Sequence, residues 1–324
     1  MDSYKKEGVL LIQLGSPKSS GRDDVKEYLL SFLGDSHTVG APPFIWKPLL
    51  RYFIAPSRAA KSALKYQEMC ETQGVEEMPL ITYTRQFAEG VQAELHNRAV
   101  VRYAFQYGAS PSISEALDDF VREGVTQVRV IPLYPQRSGA TSIASLDQLK
   151  EVQGLYPSLH FCVCHGFAEH PAWIENVADS IRPYQKDSSY TILISWHGMP
   201  KKRICLGDLY ESDCQKSVLA LEKALGSSVK VSYQSRFGLG EWLGPSTTET
   251  LKALGKAAAK VIVVCPAFTV DNLETLHEID IEAKKIFLEA GGLEWQRVPC
   301  LNASSKWISD FANQIALVFP CQKL

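Results

Sequence analysis

The chain reads as an α/β protein of two Rossmann-like, three-layer halves, each built on a four-stranded parallel sheet, that face each other across a cleft. Three observations predict this. Short apolar runs alternate with longer amphipathic stretches, the pattern of parallel strands covered on both faces by crossover helices. The strand exits also repeat in order. Leu-Leu-Ile-Gln-Leu-Gly-Ser-Pro17 is echoed by Ile-Leu-Ile-Ser-Trp-His-Gly-Met-Pro200, Tyr-Ala-Phe-Gln-Tyr-Gly108 by Val-Ser-Tyr-Gln-Ser-Arg-Phe-Gly238, and Val-Arg-Val-Ile-Pro-Leu-Tyr-Pro135 by Val-Ile-Val-Val-Cys-Pro266. Finally, two exits in the second half carry proton-accepting groups just past a carboxyl strand end, which is where open α/β sheets bind ligands. The first half is expected to comprise 1–152 with 302–324, and the second 153–301.

The first strand, 8–14, is an apolar run stopped by Gly15-Ser-Pro17. The next is expected only at 100–105, so the first half carries an insertion, about 28–58, that the second lacks. It holds Tyr28-Leu-Leu-Ser-Phe-Leu33 and Pro42-Pro-Phe-Ile-Trp-Lys-Pro-Leu-Leu-Arg-Tyr-Phe-Ile54, and prolines at 42, 43, 48 and 56 argue against any long helix. Such a segment is either a satellite core beneath a loop or an apolar lip that covers a flat aromatic ligand or rests on a membrane surface. Arg58, Lys61 and Tyr66 follow at spacings that share one broad helical arc. The two cations are either a solvated face or a clamp for ligand carboxylates. Strands come next at 127–133 and 160–164. In the latter, Cys162 and Cys164 alternate onto one strand face and read as small packing groups rather than metal ligands.

Strands of the second half are expected at 190–195, 229–233, 260–265 and 295–298. His197 follows the first of them, with Gly198 relaxing the backbone. It is either a satisfied structural group or a base exposed at the cleft floor, since an ordinary imidazole accepts a proton near neutral pH. After 260–265 come Asp271, Glu274, Glu278 and Glu282. On an α-helix they fall within about 80° of one another, on a stripe about 16 Å long. That stripe is either a solvated acidic face or a path for a labile divalent cation or protons, because hard carboxylate oxygens bind metal without trapping it.

Composition bounds the partners. With 45% hydrophobic and 22% charged residues and a formal charge of -2, the chain is an ordinary globular protein without the basic footprint of a nucleic-acid binder. No stretch reaches the roughly 18 apolar residues of a membrane-spanning helix, and no signal-peptide core precedes the first strand. A cytoplasmic protein, or one peripheral on the inner membrane, is expected. The eight cysteines are expected to be reduced and mostly buried.

Six segments in order carry a resemblance: Gln-Leu-Gly-Ser-Pro17, Leu-Tyr-Pro-Gln136, Ser-Trp-His-Gly-Met-Pro200, Tyr-Gln-Ser-Arg-Phe-Gly238, Trp-Leu-Gly-Pro245 and Cys-Pro-Ala-Phe-Thr-Val-Asp-Asn-Leu-Glu-Thr-Leu-His-Glu278. Together they resemble the ferrochelatase family, over about 8–302, and so imply a chelatase-like fold. The resemblance implies insertion of Fe2+ into protoporphyrin IX, giving protohaem in the last step of haem synthesis. Coproporphyrin III, another tetrapyrrole, or a non-enzymatic haem or metal carrier are the alternatives. His197 would bind metal or accept pyrrole protons, with Glu274 its partner across the macrocycle. Asp271, Glu278 and Glu282 would form an acidic line running inward. Leu14, Tyr107, Tyr134 and Trp242 would line the macrocycle pocket, Arg58, Lys61 and Tyr66 would hold the propionates, and Ser235 would be a pocket serine. Fe2+ would be a substrate, with no tightly bound cofactor, and the protein a monomer. Met78 and Gln106 depart from the family pattern and put their porphyrin contacts in question. Gly139 stands where some branches carry a cluster-ligating cysteine, so no iron-sulfur cluster is expected.

Overall fold

The structure, a computed structural model, describes residues 6–39, 42–236 and 240–324. Two compact units divide the chain: one is built of residues up to Tyr134, Ser138–Gly166 and Ala303–Leu324, the other of Pro135–Arg137 and Phe167–Asn302. The Phe237 and Gly238 of the fourth resemblance segment lie outside the described residues.

The first unit is built on β1 (Lys6–Gly15), β2 (Val100–Tyr107), β3 (Val125–Pro132), β4 (His160–Val163) and β9 (Gln322–Lys323), in the order β2-β1-β3-β4-β9. The second is built on β5 (Tyr190–His197), β6 (Lys230–Gln234), β7 (Lys260–Val264) and β8 (Glu294–Arg297), in the order β6-β5-β7-β8. All eight expected strands form. Their apolar runs are buried on both faces: Val9, Leu10, Leu11 and Ile12 are each 0% exposed, as are Leu193 and Ile194 in β5.

The same strand order in both units bears out the echo of exits, and hydrogen bonds extend it. Phe105 N–H donates to Pro111 O at 2.8 Å, and Tyr233 N–H donates to Pro245 O at 2.9 Å. The following serines, Ser112 and Ser246, each cap a helix by accepting from the backbone N–H of Glu115 and Glu249. A Pro-Ser-x-x-Glu repeat therefore sits at the same place in both halves, a signal the strand-based reading missed.

Four expectations need correction. The first sheet has a fifth, antiparallel strand: β9 pairs with β4, placing Lys323 opposite Cys162. That pairing brings Cys321 to Cys162, and the two form a disulfide across 159 residues, so neither is a free thiol. The other six cysteines are free, and Cys70, Cys164, Cys214 and Cys265 are buried. The boundary falls after Gly166 rather than after 152, because β4 hydrogen-bonds to β3. Lastly, the prolines do not break the insertion. Pro43–Leu49, a π-helical Leu50–Ile54 and Ala55–Gln73 follow one another without a gap. The wider turn, in which Ala55 N–H donates to Leu50 O, shifts the hydrogen-bond register between Pro48 and Pro56, whose missing donors would otherwise interrupt the ladder.

The insertion is in part the satellite core. Leu33, Leu50 and Ala55 are buried, with Leu29, Leu30, Phe32, Trp46 and Ile54 packed around them. Its outer side is bare: Phe44 is 79% exposed and Phe53 70%, with Ile45, Leu49 and Tyr52 also exposed.

Candidate active site

In a sheet of order 2-1-3-4 the connections leave the first and third strands in opposite directions, opening a crevice at their carboxyl ends. In the second unit those strands are β5 and β7. His197 is the last residue of β5, and the loop after β7 leads into a helix that begins at Glu274. His197 Nε2 stands 3.4 Å from Glu274 Oε2.

Local backbone sets the imidazole. Its Nδ1 lies 2.7 Å from Gly198 O. A carbonyl only accepts, so Nδ1 carries a hydrogen, and Nε2 is the ring nitrogen that faces Glu274. Gly198 N–H donates to Gln234 O at 2.7 Å, and a Cβ at 198 would lie 2.4 Å from that oxygen. Only glycine permits this approach. Trp242 lies against the same point, its ring 3.3 Å from where that Cβ would be, and Phe268 meets the imidazole edge-on.

The acidic partner is positioned by groups that the sequence reading missed. Gln234, at the end of β6, is buried. Its carbonyl accepts from Ser195 Oγ at 2.7 Å, leaving its amide Nε2 to face Glu274 Oε2 at 3.4 Å. Behind it Thr247 links the Ser195 and Ser232 hydroxyls at 2.8 and 2.9 Å. The echo of Gln106 by Gln234 was the available signal.

Ser235 has a backbone φ of +57°, unusual for a residue other than glycine and held here by its contacts. Its N–H donates to Glu278 Oε1 at 2.9 Å. Its Oγ lies 2.9 Å from Glu274 Oε2 and 2.8 Å from Glu278 Oε2. One hydroxyl carries one hydrogen, so it donates to only one of the two carboxyls at a time. Glu278 is the perturbed carboxyl. Burial, and then the adjacent Glu274 charge, push its carboxyl above the usual range, against the opposing pull of the Ser235 bonds and His197.

The acidic line takes a different form from the one expected. Its helix, Glu274–Ala283, is π-helical rather than α-helical. Asp271 precedes it and is buried at 3% exposure. Arg297 Nη1 at 2.7 Å, Asn302 Nδ2 at 2.8 Å and Thr275 Oγ1 at 2.8 Å all donate to it. With its charge and lone pairs so engaged, Asp271 anchors the helix start and is not open to a passing cation. Glu282, at the other end, is 42% exposed and lies 3.8 Å from His277 Nδ1. The expected position of Glu274 across a macrocycle is also corrected. At 3.4 Å the two side chains lie side by side, with no room for a ring between them.

The first unit holds the remaining candidates. Leu14, Tyr107 and Tyr134 stand at the carboxyl exits of β1, β2 and β3, with Tyr107 and Tyr134 largely buried. Tyr107 O–H donates to Asp35 Oδ2 at 2.7 Å, and burial followed by the Asp35 hydrogen bond raises its pKa. Tyr134 O–H donates to Gln106 Oε1 at 2.7 Å, so Gln106 fixes a tyrosine. Met78 is 1% exposed, a core residue ahead of the helix Pro79–Leu95. On the helix Ala55–Gln73, Tyr66 is buried, Arg58 half-buried with its pKa lowered by burial, and Lys61 exposed.

Comparison with known proteins accords with these features. A family model described as Ferrochelatase matches residues 6–316. SirB from Bacillus subtilis, solved with Fe3+, superposes with a TM-score of 0.61 at 13% identity, covering 96% of this chain and 94% of that one. The sirohydrochlorin chelatase SirB from Bacillus subtilis subspecies spizizenii, in complex with cobalt, gives 0.55 at 13% identity over the same shares. DR2241 from Deinococcus radiodurans, described as multi-domain with structural similarity to chelatases, gives 0.55 at 12% identity, covering 99% of this chain and 57% of that one. At such identities the structural likeness is one of fold.

Proposed function

Since this chain belongs to the ferrochelatase family, we propose that it inserts Fe2+ into protoporphyrin IX, releasing two pyrrole protons and giving protohaem. The observation that carries this reading is the approach of His197 Nε2 to Glu274 Oε2 at the β5/β7 switch point. A neutral imidazole and a carboxylate are two donors suited to iron. Among the described residues no group of three His, Cys, Asp or Glu converges to hold a metal, so the pair leaves coordination positions for ring nitrogens.

Proton and metal compete for one lone pair. When Nε2 takes a pyrrole proton it can no longer hold Fe2+, so base action and metal release become one event. Glu274 compensates the charge, and the Ser235 hydroxyl connects it to Glu278. A flat porphyrin shields its nitrogens from a hydrated cation, so a catalyst gains rate by favouring a puckered ring over the relaxed one.

Protoporphyrin is favoured over coproporphyrin by two features. Arg58 and Lys61 offer two cations on one helix, matching two propionates rather than four, and the insertion presents a long apolar edge. That edge rests on a membrane surface in this reading. No helix among the described residues is long and apolar enough to cross one. Iron enters as substrate, without a resident cofactor or iron-sulfur cluster, and the working form is a monomer.

The decisive experiment is anaerobic Fe2+ insertion by wild type and His197→Ala. The variant should bind porphyrin normally by fluorescence titration and lose at least about a hundredfold in turnover, the scale of general-base catalysis. Wild-type turnover in His197→Ala would remove the assigned role. Stoichiometric rather than repeated insertion would make the protein a carrier, and faster turnover of coproporphyrin III would reassign the substrate.

A further inference from the structure

The insertion carries a feature that metal insertion does not use. A cavity of about 350 Å3 is lined by Lys26, Leu30 and Gly34 of the helix Arg22–Gly34, and by Lys47, Leu50 and Arg51 of the helical run that follows. Its apolar side is Leu30 and the buried Leu50, its polar side is three cations, and no acidic side chain lines it. Among the described residues none of the three cations has an ion-pair partner, whereas Arg85, Arg102 and Arg122 of the same unit do. Like charges gathered round one cavity repel each other until an anion joins them.

The surroundings restrict the anion. Lys47 and Arg51 lie four residues apart, beside Trp46, Leu50 and Ile54, of which Leu50 is buried and the other two are partly buried against the satellite core. Beyond them the exposed arc is apolar: Phe44, Ile45, Leu49, Tyr52 and Phe53. A helix that is apolar outward and cationic along one flank matches a segment lying in the plane of a bilayer, with long basic side chains at headgroup depth. We propose that this cavity binds the phosphate of an anionic phospholipid headgroup, held by Lys26, Lys47 and Arg51, with the lipid stem against Leu30 and Leu50. The inference rests on the membrane contact of the insertion and adds a lipid selectivity to it.

Co-sedimentation of the full chain with phosphatidylcholine vesicles, with and without phosphatidylglycerol, tests it. Phosphatidylglycerol should tighten binding about a hundredfold, three basic residues each contributing about fivefold. Lys26→Gln, Lys47→Gln and Arg51→Gln should each remove about fivefold of that gain, the usual weight of one basic residue near an anionic surface. Lys202→Gln, in the other unit, should not. Phe44→Ser with Phe53→Ser should weaken binding to both vesicles alike. Equal binding to the two vesicles, or an equal loss from Lys202→Gln, overturns the headgroup site while leaving the membrane contact standing. Absence of binding to either vesicle overturns both. Saturable binding of inorganic phosphate that survives in solution, without vesicle preference, would make the cavity a site for a small soluble anion and overturn the lipid assignment.

Discussion

At the scale of single residues, the chemistry depends on which atom holds which hydrogen. Gly198 O fixes a hydrogen on His197 Nδ1, and the one hydrogen of Ser235 lies between Glu274 and Glu278, where burial and the Glu274 charge raise the Glu278 pKa. The second point has a pH signature. The folded pKa of Glu278 lies above its ordinary value of 4.5, so its contribution to stability is complete below that value and lost as pH rises through the folded pKa. Glu278→Gln cannot ionise. Its melting temperature should match wild type near pH 4 and exceed it increasingly above the folded pKa, as calorimetry across pH would show. A constant difference at all pH values would mean that folding leaves the Glu278 pKa unshifted. His197 and Glu274 were legible as candidates because each follows a strand exit. Asp271 was misjudged because spacing alone does not reveal Arg297, which is 26 positions away and meets it only through the β7–β8 pairing.

At the scale of elements, apolar runs located eight strands because fully buried strands have no polar face to disguise them. What escaped were elements stabilised by something other than a run of apolar residues. β9 has two exposed residues and exists through its pairing with β4. The π-helical stretches 50–54 and 274–283, like 139–143 and 312–316, depend on hydrogen-bond register, which apolar periodicity does not encode. The start of 274–283 is held by a buried ion pair, with Arg297 11% and Asp271 4% exposed in their side chains. Removing one partner leaves an uncompensated charge, so Arg297→Met should destabilise the protein by about 3–5 kcal/mol. Arg297→Met with Asp271→Asn should recover much of that loss. Urea denaturation of the two variants measures both, and near-additive losses would show that the pair is not coupled.

At the scale of the whole molecule, the duplication that the strand exits announced is visible in two sheets of the same order. The disulfide was not legible, because Cys321 lies beyond the last expected strand and reaches Cys162 only through β9. A cross-link closing so long a loop typically contributes about 2–4 kcal/mol. Cys321→Ser should therefore lower the melting temperature by several degrees and leave the proposed metal-insertion activity intact. An unchanged melting temperature under oxidising conditions would show that the bond does not form.

The segment 303–324 also packs Trp307 and Phe311 against Phe87 of the helix Pro79–Leu95, with ring centroids 5.8 and 5.0 Å apart. On a ribosome the second unit is fully synthesised by Asn302, while the first still lacks the two rings that cover Phe87. The half begun earlier in translation is thus the half completed later, and until then Phe87 presents a greasy face that a chaperone can hold.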